Sequence, residues 1–171
     1  MRWIWIDRII ELEHGQRCAA IKNVSLGEDV VHDHFPATDG CRAAPMMPHT
    51  LVIEGMAQTA GILVGHAQDF RQKVILAKIG RAHFQDVAKA GYCLRFDAKL
   101  ERIDEHGAST TGTVTRLDPA SGERAPLAQI NLTFSHVDQN RSGIEFPEHN
   151  FVFTEQFMDL LRDSGFGGVR H

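Results

Sequence analysis

The residues most able to do chemistry stand together between His32 and Gln58, in the stretch HDHFPATDGCRAAPMMPHTLVIEGMAQ. A histidine-rich loop broken by Pro36, Pro45 and Pro48 runs directly into an apolar stretch whose one acid, Glu54, finds no salt-bridge partner in the pattern. A histidine side chain can be neutral near pH 7 and accept a proton, and both His32 and His34 are placed for it. A carboxyl on an apolar helix is favoured in its protonated form and can donate one. Gln58 falls four residues beyond Glu54 on the same helix face, where its amide can orient the acid or a water.

Plainer readings stand beside this one. Glu54 can be a core carboxylate satisfied by a partner elsewhere, and His34 a loop histidine without a role. His32, Asp33, His34, Asp39, Cys41 and His49 together offer the N, O and S donors that zinc accepts, but their spacing follows no closed-site pattern. The remaining histidines, His14, His66, His83, His106, His136, His149 and His171, are scattered and receive no role.

The elements that must position these groups are readable in outline. Trp3 to Ile10 is bulky and β-branched, Glu13-His14-Gly15-Gln16 is turn-like, and residues 17–24 return as a second strand, which makes a hairpin. Residues 50–67 contain no proline, are too long for one strand and are apolar on nearly every face, which predicts a buried helix. Its glycines, Gly55, Gly61 and Gly65, lower helix propensity by up to about 1 kcal/mol each but allow close approach. Residues 74–79 read as a short strand ended by Gly80. Leu94, Phe96, Ala98 and Leu100 alternate with Arg95, Asp97, Lys99 and Glu101, the period of two of a half-buried strand. A threonine-rich run over 109–117 and the alternation of Ala128, Ile130, Leu132 and Phe134 complete an antiparallel meander. After Val137 the chain turns polar, and residues 154–162 read as a short amphipathic helix covering a sheet edge. The expected division is a domain over 1–137 and an extension over 138–171.

Composition excludes several classes. The chain has 171 residues, 43% apolar and 23% charged, with a net charge of −4 and no dense Lys/Arg cluster, so nucleic acid is not an expected partner. Asp7 and Arg8 interrupt the first apolar run before it could act as a signal-peptide core. The most apolar window, 51–64, contains Glu54 and falls short of the roughly 20 residues of a membrane span. Cys18, Cys41 and Cys93, an odd number with no CxxC spacing, fit reduced thiols in the cytoplasm.

Hairpin, proline-rich loop, buried helix and antiparallel run describe an α+β hot-dog fold, a curved sheet wrapped around one long apolar helix. On residues the chain resembles the 3-hydroxyacyl-acyl-carrier-protein dehydratases of fatty-acid synthesis. His34-Phe35-Pro36 resembles their histidine motif, and Pro45-Met46-Met47-Pro48 their proline pair. Leu51 through Gln58 is similar to the helix that carries their acid and AQ pair, and Ala77 through Phe84 to the strand after it. The resemblance covers residues 6–136 and favours the simple dehydratases, with glutamate as the acid, over the dehydratase-isomerases, which carry aspartate.

That resemblance implies a reaction and a site. Loss of water from a (3R)-3-hydroxyacyl thioester needs a base for the C2 proton and an acid for the C3 hydroxyl, which implies His34 as base and Glu54 as acid, supported by Gln58. The backbone N–H groups of His49 and Thr50 would stabilise the thioester oxygen, and Phe35, Pro36, Met47 and Pro48 would line the substrate. It implies no metal or organic cofactor. The substrate would ride on acyl carrier protein or coenzyme A, and a homodimer with shared sites, or a trimer of dimers, would place His34 against Glu54 of the other subunit.

The chain departs from the family in three places. Eight residues, 37–44, separate Pro36 from Pro45 where the family has two, and the extra length is expected to bulge outward. His49 and Ala37 each replace a family glycine. These changes keep two alternatives open, a hot-dog acyl thioesterase and a non-catalytic acyl-thioester-binding subunit.

Overall fold

The computed structural model describes residues 3–137 and 152–167. Strands and helices follow in the order β1 (Arg8–Glu13), β2 (Arg17–Asn23), α1 (Asp29–His32), β3 (Met46–Met47), α2 (His49–His66), β4 (Val74–Phe84), β5 (Ala88–Lys89), β6 (Cys93–Asp104), β7 (Gly107–Leu117), β8 (Arg124–His136) and α3 (Glu155–Asp163). Six strands form one antiparallel sheet in the order β1-β2-β6-β7-β8-β4, and β3 pairs β5 in a small second sheet. The alternation read from the sequence is realised: Leu94, Phe96 and Ala98 are buried on β6, and Ala128, Ile130, Leu132 and Phe134 on β8.

The sheet curls around α2 and buries most of it. Leu51, Val52, Met56, Ala60, Ile62, Leu63 and Val64 are all buried, and burying each large side chain stabilises the fold by about 1.5–3 kcal/mol. Helix and sheet meet at glycines from both sides. A Cβ on Gly55 would lie 2.7 Å from the Phe96 ring, and one on Gly112 of β7 would lie 2.4 Å from the Met56 sulfur. Gly61, by contrast, has only the edge of the Phe134 ring near it, at 3.8 Å.

Four features differ from the sequence reading. The first strand begins at Arg8 rather than Trp3, because the Gln58 side chain engages the backbone of Trp3 and Trp5. β4 runs through Gly80 to Phe84, and Gly80 sits in the register shift between Ile79 and Arg81, so it is a bulge and not a stop. The one-turn helix α1 and the two-residue strands β3 and β5 were not expected. α3 spans Glu155–Asp163, one residue beyond the expected helix, with Thr154 at its N-cap making no side-chain cap bond.

The two sheet edges are treated differently. Along β1, α3 buries Leu161, and the hydroxyl of Ser164 accepts the Ile9 N–H at 3.0 Å. The outer edge of β4 has no strand beside it among the described residues, and Leu76 and Ile79 are 38% and 47% exposed there. The polar break expected over 138–150 lies outside the described residues. Among those described, no helix is long and apolar enough to cross a membrane. Cys18, Cys41 and Cys93 are all free thiols.

Candidate active site

Pro48 starts the central helix. Its φ of −54° is already helical, and its carbonyl accepts the N–H groups of Leu51 and Val52 at 2.9 and 3.2 Å. The His49 and Thr50 N–H groups ahead of them find no acceptor among the described residues. Met47, fully buried, and the pairing of Met46 and Met47 with Lys89 and Ala88 anchor the proline segment that delivers this helix start. The exposed His49 ring stacks flat on Phe84, centroids 3.9 Å apart and planes 9° apart. Its bulk therefore lies over the end of β4.

Glu54 sits in the second turn of α2 and is half-buried. Its carboxylate is held by two donors on one oxygen: Oε1 accepts from Trp3 Nε1 at 3.2 Å and from Gln58 Nε2 at 3.0 Å. Gln58 is buried and fully used, since its Oε1 accepts the Trp5 N–H at 2.8 Å and its Nε2 also donates to the Trp3 carbonyl at 3.0 Å. Oε1 is thus committed to two N–H donors, and Oε2 makes no hydrogen bond among the described residues.

Glu54, Gln58 and Trp3 form the polar end of a cavity of about 280 Å³. The rest is apolar: Gly61 and Ile62 of α2, Val74 to Leu76 of β4, Phe134 of β8, Phe153 from the segment leading into α3 and Phe157 of α3 itself.

His34 is half-buried beyond α1, its ring 4.3 Å from that of Phe35. Phe35 is 59% exposed and has φ of 53°, a left-handed conformation unusual for a bulky residue. Pro36 is exposed beside it. The inserted residues close on themselves: Thr38 and Cys41 exchange N–H···O bonds of 3.1 and 3.0 Å around Gly40, and the Ala44 N–H returns to the Phe35 carbonyl at 3.0 Å. The insertion is therefore a small exposed hairpin projecting from the loop.

Within one protomer, no hydrogen bond joins His34 to Glu54, and His34 is not among the residues lining the Glu54 cavity. The rival His32 is exposed and bonds Asp33 at 2.7 Å. Among the described residues no three His, Cys, Asp or Glu side chains gather closely enough to hold a metal, so the donors around His32 to His49 do not converge.

Sequence reasoning missed Trp3, Phe153 and Phe157. For Trp3 a signal existed, since both tryptophans of the chain lie within its first five residues. The two phenylalanines reach the cavity only through the docking of α3, which no local pattern encodes.

A single buried helix wrapped by an antiparallel sheet defines the hot-dog class, and solved structures share it. The dehydratase heterocomplex ApeI:P from Xenorhabdus doucetiae superposes with a TM-score of 0.60 at 18% identity, covering 80% of this chain and 85% of that one. An acyl-CoA hydrolase from Staphylococcus aureus, solved with butyryl coenzyme A, coenzyme A and coenzyme A disulfide, gives a TM-score of 0.56 at 17% identity over 78% and 70% of the two chains. At such identities the likeness defines the fold alone.

Sequence is more specific. The FabA-like domain model matches residues 3–117. The 3-hydroxyacyl-[acyl-carrier-protein] dehydratase FabZ of Thermomicrobium roseum is 33% identical over 129 residues, 75% of this chain and 80% of that one. Its counterpart in Fusobacterium nucleatum is 33% identical over 138 residues, 80% and 88% of the two chains. The chain belongs to the FabA-like family.

Proposed function

We propose that this protein is a cytoplasmic dehydratase that converts (3R)-3-hydroxyacyl thioesters, carried on acyl carrier protein, to trans-2-enoyl thioesters. The observation that carries the reading is the carboxyl of Glu54, held by Trp3 and Gln58 on one oxygen at the polar end of an apolar cavity. The family and its dehydratase relatives support the reaction class.

In this mechanism His34 takes the C2 proton, the C2–H electron pair becomes the C2=C3 double bond, and the C3–O bond breaks. The departing hydroxyl takes the proton from Oε2 of Glu54 and leaves as water. Charge that grows on the thioester oxygen is met by the free N–H groups at the start of α2, His49 and Thr50, where the helix dipole adds to them. Phe35, Pro36 and Pro48 flank the approach, and the fully buried Met47, expected to line it, instead holds the segment from beneath. His34 acts on a cavity of the partner subunit. Two features support that arrangement: His34 does not line its own protomer's Glu54 cavity, and the open β4 edge presents Leu76 and Ile79 for a second copy.

Purified protein given 3-hydroxyacyl thioesters should form the enoyl product without releasing free thiol. His34→Ala and Glu54→Gln should each lower kcat by about 10²–10⁴-fold, the usual contribution of a general acid or base. Thiol release without enoyl product would assign hydrolysis instead. Full turnover in either variant would remove that residue from the mechanism.

A further inference from the structure

We infer that Phe153 and Phe157 form the end wall of the acyl site and set the longest chain it accepts; this rests on reading Glu54 as the acid at the site's polar end. The argument follows the floor of the cavity along α2. Glu54, Gln58, Gly61 and Gly65 fall on one helix face, separated by four, three and four residues. At Gly61 an added Cβ would meet only the Phe134 ring edge, at 3.8 Å, so the floor is open. One turn further, at Gly65, a Cβ would lie 2.4 Å from Phe153 Cζ and 2.9 Å from the Phe70 ring, so the floor is sealed. The cavity therefore stops between these two glycines.

The wall is held in place. The Phe153 ring packs edge-on against Phe70, 4.9 Å between centroids and 77° between planes. Phe157 belongs to α3, which is pinned by the buried Leu161 and by the bond from the Ile9 N–H to Ser164. The extension thereby becomes part of the substrate site, at the opposite end from the chemistry.

Its position gives a length. Glu54 to Gly61 is about 10 Å along the helix, and an extended chain advances about 1.2 Å per backbone atom, so about eight atoms beyond the reacting carbons fill the open floor. The cavity volume of about 280 Å³ lies at the lower bound of the range of about 300–1,000 Å³ for small-molecule sites. Acyl chains of up to about twelve carbons fit, and a sixteen-carbon chain must displace the Phe153 ring.

The test is binding of saturated acyl-coenzyme A thioesters of 4, 8, 12 and 16 carbons to the full chain by calorimetry, alongside kcat/KM for 3-hydroxyacyl thioesters of the same lengths. Affinity should rise by up to about fourfold per buried methylene until the wall is reached, and C16 should bind no better than C12. Phe153→Ala should raise the C16:C8 ratio at least fivefold. Gly61→Leu, which fills the open floor, should shift preference toward C4. Opposite shifts in the two variants exclude a general loss of folding. A wild-type affinity that keeps rising to C16, or a Phe153→Ala variant that weakens every length equally, would overturn the inference. If the binding profile holds but no enoyl product forms, the wall stands and the dehydratase reading falls. If enoyl product forms with no dependence on length, the reverse is true.

Discussion

Two N–H groups converge on Oε1 of Glu54, one from a side chain four residues away and one from Trp3, far off in sequence. The Gln58 bond follows from helix periodicity, so Glu54 and its neighbour were legible as soon as the helix was. The Trp3 bond spans 51 positions and depends on the N-terminal segment lying along α2, which no local pattern specifies. In the proposed mechanism Trp3 acts as a positioning residue, and Trp3→Phe keeps the ring while removing the donor. It should lower kcat by about 3–10-fold, the worth of one ordinary hydrogen bond, with KM changed less than twofold. A rise in KM at constant kcat would mean that Trp3 only shapes the cavity. Gln58→Leu is a poorer probe, because it also orphans the Trp5 N–H and the Trp3 carbonyl.

At the scale of elements, α2 was visible because eighteen residues of continuous apolar pattern admit no other structure. α1, β3 and β5 have four, two and two residues, too few to show any period. Gly80 looked like a strand end because a glycine and a bulge share the same sequence signal, and only the pairing with β8 separates them. The far end of α2 carries a group that sequence left without a role. The His66 ring lies 5.1 Å from that of His14, and its Nδ1 is buried without a hydrogen-bond partner among the described residues. Burial first, and His14 second, hold His66 below the usual histidine range, with Asp69 opposing. The folded state thus favours the neutral ring. That stability is full above a pH of about 6.5 and is lost as pH falls below it, where the unfolded chain takes up the proton and the folded one resists. Thermal melts at pH 7 and pH 5 should show a smaller fall in Tm for His66→Gln than for the parent chain; equal falls would show that other groups carry the acid sensitivity.

For the whole molecule, the order of hairpin, loop, helix and meander was enough to give the fold, because each element carries its own local signal. Which strand lies at which edge was not, since β1 pairs its sequence neighbour while β2 and β4 find partners far along the chain. The result is an asymmetric sheet, with β1 covered by α3 and the outer edge of β4 unpaired among the described residues. An open, partly apolar edge invites pairing with another chain, and the proposed shared site calls for a two-fold dimer across β4 in which each His34 meets the other subunit's Glu54 cavity. The most direct test of that shared site is subunit mixing. His34→Ala and Glu54→Gln homodimers, each inactive, are unfolded together in equal amounts, refolded and assayed for enoyl formation. Random pairing makes half the dimers mixed, each with one intact site, so about a quarter of the parent activity should return. If His34 and Glu54 instead work within a single chain, every site in the mixture lacks one of the two groups, and no activity will return.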